Sequence, residues 1–305
     1  MLSVVLISVK TTFAGEVVLQ DDKLSVAFDS KSGALTKLEN KAAHWTIERR
    51  PELGVAFRLF APLPERRWNP VFVGNSAPDD TAVFASVSKT KPRAAAVKKI
   101  SDHEILLQWT NLTSETGVNL PVTLTSAVTL TNGILTFHAT LQNDSALTIE
   151  TIDYPFFGDF NSPSRDAMLE LRVMNNNRLS DLRRDEIYPH FGNDQGYWGV
   201  FWPLKKRDAQ LSRFCLISST NAGVFAEIPA ASYRLQWTFE QHPGVLSSAS
   251  NLVPPQDVIS GRPVYLEFRA CHFIFAAPHS LTNLMPVTVR GYQGDWHSGL
   301  ALYEK

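Results

Sequence analysis

The sequence predicts an all-β fold, a large antiparallel β-sandwich that ends in a short helix. Three observations predict it. Apolar and polar residues alternate with period two through much of the chain, which turns one face of each strand to a core and the other to solvent. An Asn-Gly pair, Asn132-Gly133, separates two such runs, and both residues tolerate the positive φ that a two-residue hairpin turn demands. No interior stretch of roughly twelve residues carries the 3.6-residue apolar period of an amphipathic helix.

In chain order, Lys23–Asp29 is the first clear run, and Asp29-Ser30-Lys31-Ser32-Gly33 behind it has turn chemistry. Leu53–Phe60 and Glu104–Thr110 follow. Next, Val122, Leu124, Ser126, Val128 and Leu130 alternate with Thr123, Thr125, Ala127, Thr129 and Thr131. After the Asn-Gly pair, Leu135, Phe137, Ala139 and Leu141 resume one face. Ser212–Ser219, Gly223–Ile228, Tyr233–Glu240 and Val264–Phe275 complete the set. Many strands and turns without a fixed repeat predict a sandwich or barrel, not a propeller. Ser162–Tyr197 interrupts the pattern: it is polar, carries Asn175-Asn176-Asn177, and reads as long loops with at most a short helix. At the C-terminus, Trp296, Leu300 and Tyr303 fall at helical spacing behind Asp295, a suitable N-cap. That helix meets Lys305 with no glycine cap or trailing turn, the pattern of a helix cut short, with a frayed terminal helix packed on the sheet as the alternative.

Composition excludes several function classes. The 305 residues are 44% hydrophobic and 19% charged, enough for a sizeable core. A net charge of −1 gives no electrostatic footprint for nucleic acid, and no apolar run approaches the roughly 20 residues of a membrane span. Residues 1–14 combine a short apolar stretch (Leu2, Val4, Val5, Leu6, Ile7) with Thr12-Phe13-Ala14, as in a shortened secretion signal, although no basic residue precedes the stretch. A secreted or periplasmic location is therefore expected, with an N-terminal edge strand as the alternative. Cys215 and Cys271 sit in apolar runs and read as buried thiols. No cofactor and no metal site is assigned, because no Cys/His cluster is present; calcium on oxygen ligands of the Asp/Asn-rich loops stays open, without an EF-hand-like spacing to support it. G-x-S-x-G, P-loop, G-x-G-x-x-G and H-E-x-x-H motifs are also lacking. Asn111-Leu112-Thr113 and Asn143-Asp144-Ser145 match glycosylation sequons and otherwise report turns.

Four segments carry a resemblance: Val18–Asn40, with Leu24-Ser25-Val26-Ala27-Phe28-Asp29 before a turn and Gly33-Ala34-Leu35; Thr151–Phe160, with Tyr154-Pro155; Cys215–Ile228, a strand, turn and strand; and Phe273–Tyr303, with Gly294-Asp295-Trp296-His297. Together they resemble the N-terminal β-supersandwich, of the galactose-mutarotase-like superfold, found in bacterial glycoside-hydrolase-like proteins. Melibiase-type α-galactosidases share that layout. The resemblance implies a sandwich over residues 15–285, and a linker with the start of a (β/α)8 barrel over residues 286–305. The rest of that barrel, which would carry most catalytic carboxylates, is not in this sequence.

Candidate chemistry follows the sugar. Glycoside hydrolysis needs two carboxylates, about 5–5.5 Å apart for retention and about 6.5–9.5 Å for inversion. Asp153, Asp159, Asp185, Glu186 and Asp194 lie in or near the loop-rich region, but no spacing selects a pair, so the catalytic residues stay unassigned. The densest aromatic stretch, Tyr188–Pro203, interleaves rings with amides and a carboxylate, the mixture that stacks on sugar C–H faces and pairs hydroxyls. His190, Asn193, Asp194, Tyr197, Trp198 and Trp202 are the candidate substrate-binding residues; the same rings could instead anchor a loop. A mutarotase would need a Glu and a His across the ring, for which His190, His272 and Glu227 are available, although His272 lies in an apolar strand. Three functions stay open: a carbohydrate-associated module shaping a sugar site for a missing barrel, a self-sufficient glycosidase, lyase or mutarotase-like enzyme, and a non-catalytic carbohydrate-binding module. All three take an oligo- or polysaccharide partner.

Overall fold

The computed structural model describes residues 15–48, 56–62, 82–86, 95–113, 119–159, 169–175, 178–187, 206–210, 212–229, 232, 234–242 and 265–303. The first strands are β1 (Glu16–Gln20), β2 (Leu24–Asp29), β3 (Leu35–Asn40) and β4 (Trp45–Glu48), then β5 (Arg58–Pro62), β6 (Ala82–Ser86), β7 (Ala95–Ser101) and β8 (Glu104–Trp109). Two short strands, β9 (Leu112–Thr113) and β10 (Asn119–Leu120), precede β11 (Val122–Thr131), β12 (Ile134–Asn143), β13 (Ile149–Asp159), β14 (Leu169–Asn175) and β15 (Arg178–Ile187). The remainder are β16 (Lys206–Gln210), β17 (Phe214–Ser218), β18 (Ala222–Glu227), β19 (Leu235–His242), β20 (Tyr265–Ala276), β21 (Ser280–Asn283) and β22 (Val287–Gln293), before the helix α1 (Trp296–Leu300).

These strands pair antiparallel in four sheets. A ten-stranded sheet runs β15-β14-β17-β18-β22-β12-β11-β8-β7, with β21 also on β12, and a six-stranded sheet runs β16-β19-β20-β13-β5-β6. A four-stranded sheet, β1-β2-β3-β4, and the pair β10-β9 complete the set. The all-β sandwich expected from the alternation is therefore the fold, with one five-residue helix among the described residues.

The hairpin is built as its sequence demands. Asn132 and Gly133 both take positive φ, 54° and 77°, and β11 pairs β12 from Thr131↔Ile134 to Val122↔Asn143 without a slip. Its inward side chains, Leu124, Val128, Leu130, Leu135, Phe137 and Leu141, are buried in the main core. Leu59, Ile152, Tyr154, Phe157, Leu235, Trp237, Phe268 and Ala270 of the six-stranded sheet meet them there. Edge-to-face rings bridge the two layers, with Phe137 centroids 5.9 Å from both Tyr154 and Phe157. Ser126, a polar residue on this inward face, accepts a 2.6 Å hydrogen bond from the Tyr154 hydroxyl, so neither group is left unpaired.

Side-chain clamps tie the four-stranded sheet to the sandwich. Asn40 Nδ2 donates to Gly223 O (3.2 Å) and Tyr292 O (2.8 Å), and Trp109 Nε1 donates to Ser32 O (2.7 Å). Asp21 Oδ2 accepts from the Gly133 backbone N–H at the hairpin turn (2.5 Å). The Asp29 carboxylate accepts from Lys31 N and Ser32 N, and Gly33 has φ of 69°, which confirms the turn expected there.

Two regions differ from the sequence reading. The polar segment taken for loops contains strands β14 and β15. Leu171 and Val173 face the core, and charged β15 forms the sheet edge, where charge discourages pairing with another chain. Strand β22, read as linker, lies between β18 and β12 in the sheet because Val287 and Val289 enter the core. Both cysteines are free and buried as expected; burial pushes the Cys215 thiol well above its ordinary range. Asn143 of the second sequon is fully buried, and its Nδ2 donates to Leu147 O and Ala277 O. No helix among the described residues is long and apolar enough to cross a membrane.

Candidate functional site

The outer face of the ten-stranded sheet carries a cleft of about 410 Å³. Three adjacent strands build its floor. While Val224, Ala226, Val287, Val289, Leu135 and Phe137 point into the core, alternation turns Glu227 of β18, Thr288 and Arg290 of β22, and Thr136 and His138 of β12 outward. The register sets Glu227 opposite Thr288, and Thr288 opposite Thr136. Arg290 Nη2 donates to Glu227 Oε1 at 2.7 Å, and the Thr288 hydroxyl donates to the same oxygen at 3.4 Å.

The C-terminal segment makes a wall. Asp295 caps α1, with its Oδ1 accepting from His297 N at 3.0 Å, as the sequence predicts. The helix is only five residues long, and Tyr303 follows in a turn. It docks because two glycines leave room: a Cβ on Gly223 would lie 1.9 Å from Tyr292 Cζ, and one on Gly299 would lie 2.5 Å from the same atom. A small second core results, in which Leu300, Leu302 and Tyr303 pack on Met174, Phe214, Leu216, Phe225 and Tyr292. Leu302 and Tyr303 line the cleft together with Pro229 and Pro286. Arg213 is fixed there: Nη1 donates to the Tyr303 hydroxyl and Nη2 to Pro229 O, both at 3.1 Å. Its guanidinium lies 5.2 Å from the Tyr303 ring centroid, a cation–π geometry.

Among the described residues Glu227 is the single carboxylate lining the cleft, one of the two that a two-carboxylate hydrolase needs. It offers a small polar ligand two guanidiniums, a carboxylate, an imidazole and three hydroxyls, beside apolar Pro229, Pro286 and Leu302. The side chains of Thr136 and His138 make no hydrogen bond among the described residues.

A second polar cluster lies on the six-stranded sheet, on the face turned away from the main core. Arg269 Nε donates to Asp153 Oδ2 at 2.8 Å, and the guanidinium sits 5.2 Å over the Phe156 ring. Arg58 pairs in register with Asp153, and its Nε is buried without a hydrogen-bond partner. Arg269 is 1% and Asp153 7% exposed, so the ion pair is closed to a ligand. Asp153 is thus a buried ion-pair partner and not a solvated loop residue.

Of the sequence-proposed acid–base groups, Glu227 reaches the cleft and His272 does not. His272 is fully buried beside Leu235 and Ile152, and its Nε2–H donates to Tyr154 O at 2.7 Å. Burial holds it neutral, lowering its pKa to about 4 against the opposing pull of that bond and of Asp153. His190, Asn193, Asp194, Tyr197, Trp198 and Trp202 all lie outside the described residues. Asp159 closes β13, and Asp185 and Glu186 lie on β15. Sequence reasoning missed His138, Arg213 and Arg290. Alternation alone puts His138 on an outward face, but nothing local links it to the other two.

No family model and no curated protein sequence matches this chain. Solved structures do. The GalM/aldose epimerase homologue from C. elegans superposes with a TM-score of 0.52 at 8% identity, covering 92% of this chain and 99% of that one. A candidate aldose 1-epimerase from Escherichia coli K12 gives 0.51 at 12% identity, covering 91% and 99%. An α-N-acetylgalactosaminidase from Bifidobacterium bifidum gives 0.51 at 10% identity; the match takes in 94% of this chain and 38% of that one. At these identities the likeness establishes the fold, a galactose-mutarotase-like β-sandwich.

Proposed function

We propose that this chain is a carbohydrate-associated β-sandwich module of a glycoside-hydrolase-like protein, and that it holds a saccharide in the cleft on the ten-stranded sheet. The observation that carries this reading is the cleft itself: polar groups converge from three strands, a docked C-terminal segment walls it, and one carboxylate lines it among the described residues. Binding follows from that arrangement more readily than hydrolysis. The match to about two fifths of the N-acetylgalactosaminidase supports a module within a longer enzyme. Export from the cytoplasm belongs to the same reading.

Binding of the folded protein to a saccharide panel, by calorimetry and glycan array, tests it. We expect saturable binding that weakens in Thr288→Ala and Tyr303→Ala. Absence of binding to any saccharide would sink it. Sequencing the coding region past Lys305 tests the module assignment, and fractionation of the producing cells tests export.

Glu227 and His138 in one cleft favour a second reading, acid–base interconversion of sugar anomers. It is supported by the aldose epimerase names of two structural neighbours. Polarimetry on fresh α-anomers would show catalysis lost in Glu227→Gln; a rate equal to buffer alone would refute it.

A further inference from the structure

We infer that the saccharide taken by this cleft is acidic, with its carboxylate held between Arg213 and Arg290; this rests on the cleft being a saccharide site. Charge gives the first argument. Among the described residues two guanidiniums and one carboxylate line the cleft, a fixed charge of +1 from those groups. Arg290 is committed to Glu227, whereas Arg213 has no carboxylate partner among the described residues and is held by two neutral oxygens, the Tyr303 hydroxyl and the Pro229 carbonyl. A bare cation in a cleft invites one negative charge.

Geometry gives the second argument. Each guanidinium is oriented before any ligand arrives: Arg213 by Tyr303 and Pro229, Arg290 by Glu227 and, more weakly, by Leu302 O at 3.5 Å. Each terminal nitrogen carries two N–H groups, and these contacts use one apiece. The remaining N–H groups form a preset donor array. Planar donor forks match a planar carboxylate, and a monoanion cancels the surplus where a phosphate dianion would overshoot it. The unpartnered Thr136 hydroxyl and His138 imidazole suit the sugar's hydroxyls. Tyr303 and the two prolines face its apolar ring edge.

Titration calorimetry with galacturonate and its oligomers tests this, with galactose, galacto-oligomers, galactose 6-phosphate and acetate as counterparts. The expected result is roughly ten-fold tighter binding of the acidic sugar than of its neutral counterpart, as one charge-assisted contact gives. That advantage should shrink between low and high salt and vanish in Arg213→Gln. Arg213→Lys, which keeps the charge but loses the fork, should fall between; it also guards against a Gln variant that fails to fold. Equal binding of acidic and neutral sugars would overturn the inference and leave the saccharide reading standing. Binding of no sugar by folded protein would overturn both. A preference for galactose 6-phosphate would overturn the charge count, acetate binding as tightly as galacturonate would overturn the sugar, and an acidic preference that survives both Arg213 variants would overturn the placement.

Discussion

Substituting His272 by glutamine should remove most of an acid-sensitive component of stability. His272 is buried, its Nε2–H donates to Tyr154 O, and its pKa falls from the ordinary 6.5 to about 4. The unfolded chain therefore binds a proton that the folded chain excludes throughout that window. Stability is intact above pH 6.5, falls as pH drops through the window, and levels off below about 4. The full loss is about 3 kcal/mol, of which about 2 kcal/mol is reached by pH 5. Glutamine keeps an N–H for Tyr154 O and does not titrate. Urea unfolding of wild type and His272→Gln at pH 7.5 and pH 5 measures the difference, with unchanged m-values checking that both unfold alike. Wild type should lose about 2 kcal/mol more than the variant over that interval. Equal losses would show that His272 takes up its proton in the folded state, and the account of its burial would fail.

Three further outcomes follow from the fold. Phe137→Ala removes the ring that meets both Tyr154 and Phe157 and should cost about 3–5 kcal/mol in chemical denaturation. Gly133→Ala forces a side chain into positive φ and brings its Cβ to 2.6 Å from Lys23 Cδ, so a lowered melting temperature is expected, with Asn132→Gly tolerated. Asn40→Ala deletes both clamps from the four-stranded sheet to Gly223 and Tyr292; a loss of about 1–3 kcal/mol, with faster hydrogen exchange in β1–β4, would follow.

The parts of the fold written in short-range pattern were legible. Val122 to Leu141 shows its inward face, its outward face and its turn within twenty or so residues, and the structure keeps all three. Strand β15 was not legible, because an edge strand lacks the apolar face that marks an inner one; its Arg and Asp residues look like loop. The cleft was hidden for a different reason. Glu227, Arg290, Thr136 and Arg213 are each ordinary outward or loop residues in sequence. Their meeting depends on β18, β22 and β12 lying side by side, which no local period encodes. The pairing of Asp153 with Arg269 is likewise a cross-strand event. The six substrate residues expected from the aromatic stretch lie outside the described residues, and the cleft is a candidate drawn from the described ones alone.

The docking of the C-terminal segment has a practical side. Tyr303 is at once part of a cleft wall and part of the small second core. Whatever loosens that core therefore loosens the wall as well. The intrinsic fluorescence of the Tyr303 ring thus reports both the packing of the segment and the occupancy of the cleft beside it.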